Sequence, residues 1–367
     1  MRPKDTGDYC LIAVNELVTF CRDAFQAAGL PDEDAQLTAE ILTDADLRGV
    51  DSHGVVRLPI YIERLRRGAI TTMPKIRIVR ETRTTAVVDG GNGMGQIVSS
   101  FAMRTAIRKA EAEGEPAWVS VRQSNHFGAA AYYVKMACPF DMIAFACTIG
   151  GINHMVPWGG AEAILGNNPI AIGFPVPNEP PIVLDMACSV AARGKIIVAA
   201  KEGRPIPDGW AVDCDGVPTT DARKALEGFV TPMGGPKGYA LALSIGLLSS
   251  MLSGAFFGSE VTHMYEDFAN PQNIGHLFGV LPIAAFEDLN TYSARILKAC
   301  NEVKNVRKAS GVDRIFLPGE REEILAEERR DSGVPVPAAI MRELRDVAGR
   351  LGIQPPRVNS VLGSLSP

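Results

Sequence analysis

Residues 89–96 read Asp89-Gly90-Gly91-Asn92-Gly93-Met94-Gly95-Gln96. This glycine-rich turn follows the strand-like run Thr84-Thr85-Ala86-Val87-Val88 and precedes a helical stretch from about Val98 to Gly114. Strand, glycine turn and helix in that order open a dinucleotide-binding βαβ unit, so the fold class rests on whether the fingerprint is complete. It is not: counted from Gly91, Gln96 stands where the third small residue belongs. No acidic residue is evident at the end of a second strand to hold a ribose. The turn therefore reads as structural, and any dinucleotide is expected to bind without a Rossmann fingerprint.

On the N-terminal side, Asn15–Ala28 is amphipathic and stops at Gly29, and Pro31-Asp32 opens a second helix towards Gly49. A third helix is expected over Val55–Arg67. Alternation over residues 74–89 predicts a strand pair. Beyond the turn, Ala117–Val121 is strand-like; Tyr132–Cys138, the apolar run Met142–Thr148 and the run Ile164–Phe174 continue a mixture of helix and strand, and the proline-rich Pro175–Leu184 is strand-like. A helix is expected through Met186–Gly203, then a loop or hairpin over 204–221 and helices at Pro236–Ser253, 286–309 and 321–330. Gly275–Pro282 reads as a strand. The apolar stretch Tyr239–Phe257 approaches membrane-span length, but Ser and Gly interrupt it, so it is expected to be buried inside the protein.

The chain has 367 residues, enough for two or three domains, and its 46% hydrophobic content with 22% charged residues is that of a globular protein in water. A net charge of −5 without a dense Lys/Arg run argues against a nucleic-acid surface. The N-terminus lacks the apolar core of a signal peptide. The unpatterned cysteines fit reduced thiols in a cytoplasmic protein better than a disulfide framework.

The chemistry concentrates in Asp51-Ser52-His53-Gly54-Val55-Val56-Arg57. On one helix, His53 and Arg57 would share a face, about 5–6 Å apart at Cβ. A guanidinium grips a carboxylate while a neighbouring imidazole moves a proton; the bland reading is a histidine before a helix-ending glycine and a solvated arginine. His126, in Ser124-Asn125-His126-Phe127-Gly128, falls after a strand, where α/β sites are built, or else satisfies its turn. His154 reads as structural, and His263 and His276 lie outside any constellation. No HxH or HExxH spacing occurs, so a zinc site is not expected. Asp185 closes the run Pro181-Ile182-Val183-Leu184. It either caps the helix after it or orients a catalytic histidine. Lys237, after Gly234-Gly235-Pro236, is placed to contact a phosphate.

Together these segments resemble the type 2 malate/L-lactate dehydrogenase family, a non-Rossmann group that includes ureidoglycolate and sulfolactate dehydrogenases, diketogulonate reductase and piperideine/pyrroline-2-carboxylate reductases. The carriers, in order, are Asp51–Arg57, Ser124–Gly128, Pro157–Gly160, Leu165–Ala171, Leu184–Ser189, Arg193–Lys195, Gly235–Tyr239 and Leu317–Glu320. Asn167 and Cys188 depart from the family pattern at small polar positions.

The resemblance implies an α/β fold with a mixed, largely antiparallel sheet flanked by helices. It implies an NAD- or NADP-dependent oxidoreductase acting on a 2-oxo, 2-hydroxy or cyclic 2-imino carboxylate. Ser52 and Arg57 would bind that carboxylate, and His53 would donate the proton with Asp185 as its partner. His126 would lie beside nicotinamide and substrate, and in some members of the family the histidine of this motif holds the acid–base role instead. Asp185, Met186, Ala187, Lys237, Pro318, Gly319 and Glu320 would touch the cofactor. The expected domains are 1–80 with 300–367 for substrate and dimerisation and 81–299 for the cofactor, 220–270 forming a small helical subdomain. Homodimers with active sites between subunits are expected, without nucleic-acid or membrane partners. A hydrolase or lyase gathering His53, His126 and Asp185 around a metal is the competing reading. A silent binding protein would have no reason to keep His53, Arg57, Asp185 and Lys237 together.

Overall fold

The computed structural model describes residues 8–362. The chain begins with β1 (Tyr9–Ile12), α1 (Val14–Ala27) and α2 (Asp32–Leu47). Two single 3-10 turns follow, then α3 (Leu58–Arg66), β2 (Arg77–Glu81), β3 (Thr85–Asp89), α4 (Gly95–Glu113) and β4 (Ala117–Ser124). Next come α5 (Ala131–Ala137), β5 (Met142–Thr148), β6 (Ile170–Val176), β7 (Glu179–Met186), α6 (Arg193–Lys201), and the short β8 (Ala211–Val212) and β9 (Pro218–Thr219). The last third holds α7 (Ala222–Glu227), β10 (Phe229–Val230), α8 (Pro236–Met251), β11 (Ile274–Pro282), α9 (Leu289–Asn305) and α10 (Glu320–Ser332). It closes with β12 (Val334–Pro337), α11 (Ala338–Leu351) and β13 (Ser360–Leu362).

The main sheet runs β2-β3-β4-β11-β5-β6-β7. Only β3 and β4 are parallel, joined through α4; every other neighbouring pair is antiparallel. Strand alternation sends successive side chains of β11 to opposite faces. Phe278 and Val280 pack with α4 and α5 through Val98, Met103, Tyr133 and Val134, whereas Leu277 packs with α8 through Ala242 and Ile245. Covered on both sides, β11 reads in sequence as a continuous apolar run.

A second core joins the two ends of the chain. β1 pairs with both β12 and β13, and Leu17, Phe20 and Phe25 of α1 share one cluster with Leu58 and Tyr61 and with Met341, Leu344 and Val347 of α11. The strand at Tyr9–Ile12 and the helix Ala338–Leu351 were not expected from sequence. The first is too short to show alternation, and it forms only because distant residues supply its partners.

Two expectations are corrected. The helix placed over Met186–Gly203 begins only at Arg193, because β7 runs through Met186 and residues 187–192 form a connection. Helix α8 is not buried all round. Gly238, Ala242, Ile245 and Gly246 face the sheet, while Leu247, Leu248, Met251 and Leu252 are 40% to 59% exposed. No helix of the described residues is long and apolar enough to cross a membrane.

Candidate active site

His53 and Arg57 do not share an α-helix. Asp51–His53 and Val55–Arg57 form separate 3-10 turns broken at Gly54 (φ −87°, ψ −146°). The break is built from below: the buried Asp46 carboxylate, at the end of α2, accepts the Val55 N–H at 2.8 Å. It also fills the space a side chain at position 54 would need. What brings the pair together is backbone bonding: Arg57 Nε donates to the Ser52 carbonyl at 2.6 Å, and Ser52 Oγ lies 2.9 Å from His53 Nδ1.

The glycine turn supports the second histidine. The Asn125 side chain donates to the Gly93 carbonyl (2.9 Å) and to Asn92 Oδ1 (3.1 Å), and the Asn92 N–H donates to the Gln123 carbonyl (2.8 Å). A Cβ at Gly95 would collide with the carbonyl oxygens of Asn125 and His126, so only glycine lets α4 start this close. The turn cradles the His126 segment.

His126 stacks on His53 with ring centroids 5.5 Å apart and planes 23° from parallel. Its Nδ1 faces the Tyr61 hydroxyl at 2.6 Å and accepts the Gly128 N–H at 3.3 Å. A backbone donor aimed at Nδ1 assigns the ring proton to Nε2. Tyr61 is a site residue that sequence reasoning missed. Its signal was the four-residue step from Arg57 along α3, which places both on one side of that helix.

Both rings are held uncharged near neutrality. Enclosure by protein, then the Arg57 charge, lowers His53 to about 4. Enclosure, then Arg57, His53 and His276, drives His126 well below the ordinary histidine value. The ring of His53 is open to solvent on one side but walled in at longer range, which is why desolvation leads.

His53 also lines a cavity of about 510 Å³ together with Gly128, Asp185, Met186, Ala187, Pro318 and Gly319. The Pro318 carbonyl accepts the Val183 N–H at 3.0 Å, so residues 317–319 extend the free edge of β7. Glu320 lines a smaller adjoining cavity of about 190 Å³ that shares Pro181, Leu317 and Pro318 with the first. Three cations not anticipated from sequence, Arg48, Lys135 and Arg321, complete the larger cavity. Arg48 pairs with Asp44 (3.0 Å) and Glu323 (2.5 Å), and Lys135 lies 3.6 Å from Asp44.

Asp185 belongs to β7 and caps a helix, but not the one that follows it. Its Oδ2 accepts the Ala131 N–H at 2.8 Å, at the start of α5. Its oxygens face the cavity's solvent while protein surrounds the group, and that enclosure raises the carboxyl to about 6. Its hydrogen bond is to Ala131 and not to His53; the two groups share a cavity without touching. Lys237 is exposed at the start of α8 and does not line this cavity. Ser52 borders a separate cavity of about 230 Å³ behind the turn.

The remaining histidines sit elsewhere. His276, fully buried, is held by Thr148 Oγ1 at 2.6 Å and Ser124 Oγ at 2.8 Å, and His154 Nδ1 lies 3.2 Å from the Ile152 carbonyl. Among the described residues no three His, Cys, Asp or Glu side chains are grouped to hold an ion. His53, His126 and Asp185 therefore do not form the centre that a metal-dependent hydrolase would need.

A model of the malate/L-lactate dehydrogenase family matches residues 12–345. The chain belongs to that family. The L-sulfolactate dehydrogenase of Methanocaldococcus jannaschii is 42% identical over 90% of this chain and 94% of that protein. A solved structure of sulfolactate dehydrogenase from the same organism superposes with a TM-score of 0.88, covering 94% of this chain and 98% of that one at 40% identity. The (2R)-3-sulfolactate dehydrogenase (NADP(+)) of Chromohalobacter salexigens is 34% identical, over 92% of this chain and 98% of its own length. The ureidoglycolate dehydrogenase (NAD(+)) of Escherichia coli K12 is also 34% identical, over 84% of this chain and 87% of its own.

Proposed function

We propose that this protein is an NAD(P)-dependent oxidoreductase that interconverts a small 2-hydroxy and 2-oxo carboxylate, or reduces a cyclic 2-imino carboxylate. The observation that carries this reading is the cluster of Arg57, His53 and His126 beside the cavity lined by Asp185–Ala187 and Pro318–Gly319. The donor set suits a dinucleotide: an apolar floor of Val183, Leu184, Met186 and Ala187, with Arg48 and Lys135 as cations for phosphate. Asp185, Met186, Ala187, Pro318 and Gly319 would hold the cofactor, with Glu320 at the cavity's extension. The nicotinamide, when bound, supplies or accepts the hydride at C2.

The protein's own groups do the rest. Arg57, with Ser52, binds the substrate carboxylate and sets the orientation of C2. His126, its proton on Nε2, steadies the substrate oxygen or nitrogen. His53 gives that atom its proton: a carboxylate on Arg57 cancels one of the two causes that depress His53.

The exposed apolar face of α8 supports a homodimer. We group residues 1–80 with 300–367 for substrate binding and dimerisation, and 81–299, including a helical subdomain at 220–270, for the cofactor. The seven cysteines, all free thiols, support a cytoplasmic setting.

The test is a panel of 2-oxo acids (oxaloacetate, pyruvate, 3-sulfopyruvate) and cyclic imino acids, each with NADH and with NADPH, followed at the nicotinamide absorbance. Turnover of at least one pair is expected. Absence of turnover across the panel, with cofactor bound, overturns the reading.

A further inference from the structure

Residues 261–268 connect α8 to β11 and lie directly over the Arg57–His126 cluster. Three arginines of one helical region hold this segment. Arg64 of α3 is fully buried, and its Nη1 donates to the Met264 carbonyl at 2.9 Å and the Asp267 carbonyl at 2.8 Å. The Arg67 guanidinium stacks over the Phe268 ring at 4.3 Å. Arg57 Nη1 donates to the Tyr265 hydroxyl. On the inner side Met264 is buried, and its sulfur faces Gly151, the same glycine that the His126 ring borders. Gln272 ties this side down by donating to the Gly151 carbonyl at 2.9 Å and the Thr262 carbonyl at 3.0 Å.

An arginine removed wholly from water is costly unless its position does something. Here it fixes a segment that brings the Tyr265 hydroxyl to Arg57. With Nε committed to the Ser52 carbonyl and one Nη1 proton to Tyr265, the edge of the Arg57 guanidinium that includes Nε is closed to a carboxylate, and the remaining Nη protons stand beside the Tyr265 hydroxyl. Because Tyr265 accepts from Arg57, its own proton remains free to donate, and the adjacent guanidinium strengthens it as a donor.

We propose that Tyr265 is a substrate-binding residue: Arg57 and the Tyr265 hydroxyl together grip the substrate carboxylate, on a segment that Arg64 and Arg67 lock in place. This rests on the reading of Arg57 as the carboxylate clamp. The side chain is half-exposed at the segment's tip, so removing its hydroxyl leaves the core intact.

The test uses oxamate, a non-reacting 2-oxo acid mimic, titrated by calorimetry into protein saturated with NADH or NADPH. The parent, Tyr265→Phe, Arg57→Lys and the double variant are compared. Tyr265→Phe is expected to weaken oxamate about ten- to a hundred-fold, as for a lost hydrogen bond to a charged group, with cofactor affinity within two-fold of parent. The double variant should lose less than the product of the single losses, because both groups act on one carboxylate. Parental oxamate affinity in Tyr265→Phe overturns the proposal, as does a parent that does not bind oxamate. A parent that binds oxamate through Tyr265 yet turns over no 2-oxo acid supports this site and refutes the proposed reaction. A parent that turns over 2-oxo acids, with Tyr265→Phe unchanged in both KM and oxamate affinity, does the reverse.

Discussion

His53 is uncharged in the free protein because enclosure and the Arg57 charge together place its pKa at about 4. A proton donor in that state must gain its proton with the substrate, whose carboxylate neutralises Arg57. His126 is depressed as well, by enclosure first, and the Gly128 N–H directed at Nδ1 opposes a second ring proton. The assignment predicts that His53→Ala lowers kcat by ~10²–10⁴ with cofactor affinity retained, the usual span for general acid–base catalysis. His126→Ala should raise KM with a smaller kcat loss. The pH profile of kcat decides between them: the ionisation of the bound complex should vanish in the His53 variant and persist in the His126 variant. The opposite pattern reverses the roles.

Among the elements, the glycine turn between β3 and α4 is the most informative. It seats residues 125–126, because α4 starts against their carbonyl oxygens. Gly95→Ala is therefore expected to lower Tm and raise substrate KM together. Gly349→Ala, in α11 with open space around its Cα, should stabilise by ~0.5–1 kcal/mol and leave KM alone. Calorimetry with steady-state kinetics on both variants checks the contrast. A Gly95 variant with parental KM would detach the turn from the site. Helix α8 makes a second claim at this scale. Its four large exposed apolar side chains are the face proposed above for the homodimer. Leu248→Glu with Met251→Glu should halve the mass seen by light scattering, and an undiminished mass would place the interface elsewhere.

At the scale of the whole molecule, the buried histidines set the acid limit. His154 is held at about 4, with burial the leading cause, and His276 at about 3, and His53 and His126 are depressed as well. A histidine depressed in the fold binds its proton more readily when unfolded. Its contribution is complete above the unfolded value, about 6.5, and is lost as pH falls towards 4. Asp185 and Asp46, both raised, have the opposite sign and lose stability as pH rises through their folded values. The histidines outnumber them, so Tm should be highest above about pH 6.5 and fall steeply between there and pH 4. A flat calorimetric Tm over that interval would mean that the folded protein protonates these rings freely.

Sequence alone was enough for the elements whose partners are local or whose pattern is strong. α1 showed its amphipathic run and glycine stop, α2 its Pro31-Asp32 start and glycine stop, β3 its alternation, and the failed fingerprint at Gln96 already argued against a Rossmann turn. The motif residues Ser52, His53, Arg57 and His126 stood out as candidates, because their neighbours are distinctive. Tertiary structure alone decided how they meet. The 3-10 break at Gly54 depends on Asp46 eight residues earlier, the His126 loop depends on Gly95 thirty-one residues earlier, and Tyr265 reaches Arg57 from across the chain. Each is a contact whose partner leaves no periodic trace in the sequence. A side chain that fills a gap or bonds a backbone across a fold is chosen by space and direction, which no local pattern encodes.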